Sequence, residues 1–302
     1  MINGRMTSFD DVNVNDRPTT PLEQDCCGNG CDPCIFDVHK KLLEEWKEEK
    51  YNKSKRSAKN FLSLVRYKRF IVKNIVEGSE NSICIELDCA SDNKDDVIFL
   101  LPSQYIMMKL FTTTKPYTPI SWNRRSMNLL IKLYPSGEAS TYVKQLNIND
   151  ELLIRGPYGN FNYSRNSYKN IIMLSIGSGI AAFYPLAASI VKDELEDTKI
   201  NMMLGFRFLS HVPLKDELRI LTDYWNFECT LYLSQGSTMS RTANITGLNI
   251  VNSRINSKII DRTLDSYSPE TTLILICGTT KFNEIMENFV QKKDFCHYHV
   301  FR

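Results

Sequence analysis

Ile171-Ile172-Met173-Leu174-Ser175-Ile176-Gly177-Ser178-Gly179-Ile180-Ala181-Ala182 is the stretch that decides the fold. Its first half suits a strand buried on both faces, and the Gly-Ser-Gly turn opens a second apolar run. The uncharged run from 171 to 191 is long enough to cross a bilayer. Pro185 and the paired glycines favour a buried strand, a glycine turn and a buried helix instead. Beyond it, strand and helix alternate: a helix over 180–192, a strand over 200–206, a helix over 215–225, a strand over 229–233, a strand over 273–277 and a helix over 281–290. That alternation predicts an α/β domain with a doubly wound parallel sheet over 165–302.

Before Asn170 the rhythm differs. Short β-like runs at 70–72, 83–87, 97–100, 129–133 and 151–155 are separated by Gly, Ser, Asn, Asp and Pro, with a single helix expected at 140–146. Many short strands with one helix predict a small antiparallel barrel over 61–164. Residues 1–60 form a third region. A polar, Cys-rich head precedes Ile35, Phe36, Val38, Leu42, Leu43 and Trp46, whose spacing predicts an amphipathic helix fading by Lys55, and Ser54–Lys59 reads as a linker.

A length of 302 residues accommodates such domains, and a net charge of +2 argues against a nucleic-acid binder. The polar N-terminus lacks the apolar core of a secretory signal, and Ile2 stands where N-myristoylation needs glycine. Nine cysteines, an odd number with five scattered singly, suit a reduced compartment. The expected location is therefore cytoplasmic or intracellular, with no integral membrane segment and any membrane association made through a partner. Basic residues cluster from Lys40 to Lys73. They read as a solvated face or as a surface that steers an acidic partner.

Several strings carry chemistry. Lys115-Pro116-Tyr117-Thr118-Pro119-Ile120-Ser121 offers a cation, an aromatic surface and hydroxyls on one strand, the set a flavin dinucleotide requires; an edge strand beside a proline turn explains it equally. Gly137-Glu138-Ala139-Ser140 opens a short helix whose amides could meet a diphosphate, or is a plain Ser-capped start. Arg155-Gly156-Pro157-Tyr158-Gly159 reads as a tight turn. Gly177-Ser178-Gly179-Ile180 lacks the third glycine of the dinucleotide fingerprint, yet it follows a strand and opens a helix. Cys277-Gly278 ends another buried strand, so both clusters fall on one sheet edge. His39, His211, His297 and His299 show no metal or triad spacing.

In this order and spacing the strings resemble the ferredoxin reductase-like flavoproteins, and within them NADH-cytochrome b5 reductase, over about 61–302. The resemblance implies an FAD-dependent reductase that moves a hydride from NADH to FAD and then single electrons to a haem acceptor such as cytochrome b5. It implies that Lys115, Pro116, Tyr117, Thr118, Ser121, the strand around Ile131 and Leu133, and Gly137, Ala139 and Ser140 bind FAD. Gly177, Ser178, Gly179, Ile180, Cys277 and Gly278 would hold the nicotinamide end. Thr118, Ser178 and Cys277 would act at the reacting centre, Cys277 by orienting rather than attacking.

The chain departs from the family pattern at three points. Lys115 replaces an arginine, Glu138 stands where a base is usual, and Thr279-Thr280-Lys281-Phe282 replaces a proline-rich sequence. Arg207, after the second sheet strand, leaves an NADPH-dependent diaphorase-type reductase open, because a cation there favours the phosphorylated dinucleotide. The head resembles the oxidoreductase-like segment found ahead of some b5 reductase-like proteins. Its Cys26, Cys27, Cys31 and Cys34 could hold Zn²⁺, do redox chemistry or merely form a turn. A flavin-free zinc or Cys-rich interaction protein on a degenerate reductase body is the reading from another class.

Overall fold

The computed structural model describes residues 18, 20–22, 34–51, 59–236 and 247–302, which belong to two units, Met1–Ser57 and Ala58–Arg302. In the first unit α1 (Ile35–Tyr51) is the expected amphipathic helix, with Val38 buried and Asp37 in its first turn, where a carboxylate complements the helix dipole. Cys26, Cys27, Cys31 and residues 54–58 of the expected linker lie outside the described residues.

The second unit opens with the antiparallel lobe. Its elements are β1 (Lys59–Asn60), β2 (Lys68–Ser79), β3 (Ser82–Cys89), β4 (Asp96–Val97), β5 (Tyr105–Lys109), β6 (Thr114–Tyr117), β7 (Pro119–Trp122), β8 (Ser126–Lys132), α2 (Glu138–Lys144) and β9 (Glu151–Tyr158). Seven strands pair in the order β6-β5-β9-β2-β3-β8-β7. The two outermost, β6 and β7, are separated in sequence by Thr118 alone, so the sheet curls until its edges meet. This is the expected barrel, and Phe70, Ile85, Leu87, Ile106, Met108, Met127, Leu129, Ile131, Leu152 and Ile154 fill it.

Three local readings are corrected. Lys115–Ser121 is two strands broken at Thr118, because one continuous strand could not serve both edges of the curled sheet. The strand expected at 97–100 stops at Val97: the Asn60 side chain bonds both the amide and the carbonyl of Phe99, at 3.1 Å each, and takes the place of a ladder partner. The turn expected after Arg155 is the end of β9, which runs to Tyr158 and pairs with β5 through an irregular register between Tyr105 and Met107.

The parallel lobe follows: β10 (Asn170–Ile176), α3 (Ile180–Val191), β11 (Lys199–Phe206), α4 (Lys215–Leu221), β12 (Phe227–Leu233), β13 (Asn249–Val251), α5 (Ser257–Leu264), β14 (Thr272–Cys277), α6 (Thr280–Lys292) and β15 (Tyr298–Phe301). Six strands pair in parallel in the order β13-β12-β11-β10-β14-β15. The 171–191 run is thus strand, turn and helix, and no described helix is long and apolar enough to cross a membrane. The strand order reverses between β10 and β14, with β11 to β13 on one side and β14 and β15 on the other, which makes their C-terminal ends the switch point where open α/β sheets bind ligands. α4 ends at Leu221, short of the expected Trp225, and Thr222 turns its hydroxyl back onto the Arg219 carbonyl at 2.7 Å.

The lobes share a core. Ile120 of β7 and Leu130 of β8 belong to the same buried cluster as Phe183, Leu186 and Met173. The buried Ser103 hydroxyl donates to the Ala182 carbonyl of α3 at 2.7 Å. This packing fixes the barrel's outer face against the helix that follows the glycine turn.

Candidate functional site

A cleft of about 1040 Å³ runs between the lobes within Ala58–Arg302, at the upper end of the range for small-molecule sites. The barrel contributes Lys115, Pro116, Tyr117 and Thr118 at the seam between β6 and β7, and Gly137, Glu138, Ala139 and Ser140 where α2 begins. The parallel sheet contributes Gly177, Ser178 and Gly179 after β10, and Cys277 and Gly278 at the end of β14. Twelve of the residues proposed from sequence therefore line one surface.

Four others do not. Ile131 is fully buried in the barrel, and Leu133 packs against that core. Their neighbours Leu130 and Lys132 line the cleft instead, because successive strand residues point to opposite faces and a one-residue shift exchanges them. The signal was present: a lysine within Leu129-Leu130-Ile131-Lys132-Leu133 marks the face away from the core. Ile180 is buried among the residues packed under α3. The Ser121 hydroxyl accepts the Asn128 amide at 2.9 Å outside the cleft lining.

The barrel side fits a flavin dinucleotide. Tyr117 packs its ring partly on the barrel core, and burial pushes its hydroxyl up to about 12, so it stays protonated and available as a donor. A Cβ on Gly137 would meet nothing within 4 Å, and no side chain caps α2. The amides at its start are thus approachable by a diphosphate, and Lys115 lines the same cleft. Ser140 is buried and its hydroxyl accepts the Tyr134 amide at 2.8 Å, which pins the chain leading into α2. Glu138, which on charge alone opposes a diphosphate, is otherwise engaged. Its carboxylate accepts the Thr112 amide at 2.7 Å, the Thr113 hydroxyl at 2.8 Å, the Thr112 hydroxyl at 3.0 Å and the Thr113 amide at 3.2 Å. These bonds, the Thr112 amide foremost, hold it below the usual carboxylate range.

The sheet side is shaped by absent side chains. Gly177 has φ +60, a left-handed conformation that glycine adopts without strain. Gly179 has ordinary helical dihedrals and is small for another reason: a Cβ there would lie 2.4 Å from the Cys277 carbonyl oxygen and 2.7 Å from Ser175 Oγ. The turn after β10 thus nests directly on the end of β14. Burial pushes the Cys277 thiol up to about 12, which keeps it neutral and disfavours the nucleophilic thiolate. Thr279, at the departure from the family pattern, caps α6 by accepting the Phe282 amide at 3.4 Å.

The cleft also gathers residues that sequence reasoning did not place there. Lys132 sits with its ammonium 3.3 Å from where a Gly177 Cβ would be and 5.1 Å from the Tyr134 ring centre. Burial, and then the Arg207 guanidinium, lower it below the ordinary lysine range. His211, Ser234, Arg254 and Ile255 also line it. No local pattern announces them, since loops after three different strands bring them in. Among the described residues no group of three or more potential metal ligands occurs; Cys34 is a free thiol. His297 and His299 pack on Tyr168 and Phe301, and burial lowers His299 below the usual histidine range.

Three family models match in succession: an oxidoreductase-like N-terminal domain over residues 8–55, an oxidoreductase FAD-binding domain over 70–163 and an oxidoreductase NAD-binding domain over 173–292. The chain therefore carries an oxidoreductase FAD-binding domain followed by an oxidoreductase NAD-binding domain. It is similar to the NADH-cytochrome b5 reductase-like protein of Homo sapiens, at 27% identity over 74% of each chain. It is likewise similar to the Mus musculus protein of the same name, at 25% identity over 89% of this chain and 90% of the other. Among solved structures, the cytochrome b5 reductase domain of Ulva prolifera nitrate reductase superimposes with a TM-score of 0.69 at 19% identity, covering 80% of this chain and 100% of that domain, a likeness of fold.

Proposed function

We propose that the chain is a flavin-dependent reductase that takes electrons from a reduced nicotinamide dinucleotide and passes them singly to a haem acceptor such as cytochrome b5. The observation that carries this reading is the single cleft in which Lys115–Thr118 and Gly137–Ser140 face Gly177–Gly179 and Cys277–Gly278. Bound FAD supplies the redox chemistry, accepting two electrons as a hydride and releasing them one at a time.

The protein supplies position and electrostatics. Lys115 and the amides beginning α2 hold the diphosphate, and the half-buried Tyr117 ring gives the flavin an apolar surface. Thr118 and Ser178 present hydroxyls from opposite lobes and set the hydrogen bonding at the reacting edge. Gly177 lets the dinucleotide approach backbone, Gly179 seats the turn on the end of β14, and the neutral Cys277 thiol orients the nicotinamide ring. Leu130, Ala181 and Ala182 line the wall between the lobes and keep that part of the cleft apolar. The Lys40–Lys73 cations would steer an acidic acceptor, although Arg69 and Lys73 already pair with Glu151 and Asp88 at 3.5 Å.

The test is the absorbance spectrum of the purified chain. A yellow protein bleached anaerobically by a reduced dinucleotide, and then able to reduce ferric cytochrome b5, is the expected result. Colourless protein, or flavin that no dinucleotide bleaches, would overturn the reading. Reduction of small dyes but not of haem protein would overturn the acceptor alone.

A further inference from the structure

We propose that Arg207, Ser234 and Arg254 form a pocket for the 2′-phosphate of NADPH, so that this reductase draws on NADPH in preference to NADH. The inference deepens the preceding reading by choosing between donors. Arg207 and Ser234 follow adjacent parallel strands, β11 and β12, whose ends are fastened together: the Ser234 amide donates to the Phe206 carbonyl and the Gln235 amide to the Arg207 carbonyl, both at 2.9 Å. Arg254 arrives from the next strand along, since β13 pairs with β12 up to the Tyr232–Val251 register. Its neighbour Ile255 lies over the end of β11, with Cδ1 3.4 Å from where a Gly205 Cβ would be; Ile176 closes the same spot at 2.9 Å. All three polar residues line the cleft with Ile176, Ile255 and Tyr232, an apolar floor on which an adenine can rest.

The charge of this end is one-sided. Arg207 and Arg254 line it, and the one carboxylate of the described cleft lining, Glu138, stands on the barrel side at the start of α2, where Thr112 and Thr113 occupy it. Neither guanidinium has an ion-pair partner among the described residues, and Arg207 is close enough to Lys132 to depress its ammonium. Cations crowded without counter-charge call for an anion. In doubly wound sheets the residue after the second strand sits by the adenosine ribose, where an acid bonds the 2′-hydroxyl and a cation accepts a 2′-phosphate. Position, sign and bidentate capacity therefore agree on a phosphomonoester.

The experiment uses the full chain with its native flavin, ferricyanide as acceptor, and both dinucleotides. NADPH is expected to exceed NADH in kcat/KM, with the ratio falling on the order of tenfold to a hundredfold in Arg207→Gln and in Arg254→Gln, mainly through KM. In parallel, calorimetry should show 2′-AMP binding more tightly than 5′-AMP, with that difference lost in both variants. NADH preference in the native chain, or equal binding of the two nucleotides, would overturn the inference while leaving the reductase reading in place. A chain without flavin would instead sink the reductase reading, and the 2′-AMP comparison would still decide the pocket.

Discussion

Glu80 and Ser210 join the two lobes twice: the Glu80 amide donates to the Ser210 carbonyl at 3.1 Å, and the Ser210 hydroxyl donates to the Glu80 carboxylate. His211 Nε2 stands 3.8 Å from the same carboxylate and lines the cleft. The tip between β2 and β3 thus clasps the segment after β11. Glu80→Ala removes the side-chain half of the clasp and leaves the backbone half. Because the group is exposed, stability should fall by less than about 1 kcal/mol. Amide exchange over 208–212 should accelerate nonetheless, and unchanged exchange would show that the side chains contribute nothing to lobe rigidity.

Tyr117 separates shape from hydrogen bonding at the flavin site. Tyr117→Phe keeps the ring and should retain flavin, whereas Tyr117→Ala opens a gap beside the barrel core and should purify largely without it. Flavin content per chain is the measurement. Equal flavin in both variants would mean that the ring is not part of the site.

Gly179 tests the nesting of the two strand ends. Alanine is compatible with its dihedrals, yet the new methyl would collide with the Cys277 carbonyl and Ser175 Oγ. Gly179→Ala should therefore cost about 1–3 kcal/mol, the range for overpacking, and weaken dinucleotide binding while flavin stays bound. Urea midpoints together with dinucleotide titrations read both effects. A variant as stable as the parent would show that the turn can move away from β14.

Two thiols set an alkaline limit. Burial pushes Cys229 and Cys277 from an ordinary 9.0 up to about 12. Unfolded, they lose protons from about pH 9; folded, they hold them until about 12. Between those values the unfolded chain binds fewer protons, so this contribution to stability is whole below pH 9 and declines as pH rises through the window. Cys229→Ala should shrink the loss of urea stability between about pH 8 and pH 11. An unaltered loss would take Cys229 out of this limit and leave it to Cys277 and to Tyr117 and Tyr158, whose hydroxyls burial likewise pushes up to about 12.

Thr118 and Ser178 line the cleft from different lobes, and under the proposed function their hydroxyls stand at the reacting edge. Thr118→Val keeps the shape and removes the hydroxyl, and it should slow anaerobic flavin bleaching by up to about tenfold, the worth of one hydrogen bond, at unchanged flavin content. Stopped-flow absorbance makes the comparison. An unaffected rate would take Thr118 out of the reacting centre.

The sequence alone determined the order of the lobes and most of the backbone around the site. Strand–turn–helix at Ile171–Val191 was legible because burial on both faces and glycine punctuation are local properties. The same holds for the existence of the short helix after Gly137, expected at 140–146 and found at Glu138–Lys144, and for the Lys115–Thr118 string. Tertiary structure decided the rest. Only closure of the sheet splits Lys115–Ser121 at Thr118, only the pleat turns Leu130 and Lys132 toward the cleft and Ile131 away, and only parallel pairing of β11, β12 and β13 gathers Arg207, Ser234 and Arg254. Periodicity reports which residues want to be buried. Which loop ends become neighbours depends on pairings between strands far apart in the chain, and no local pattern encodes those.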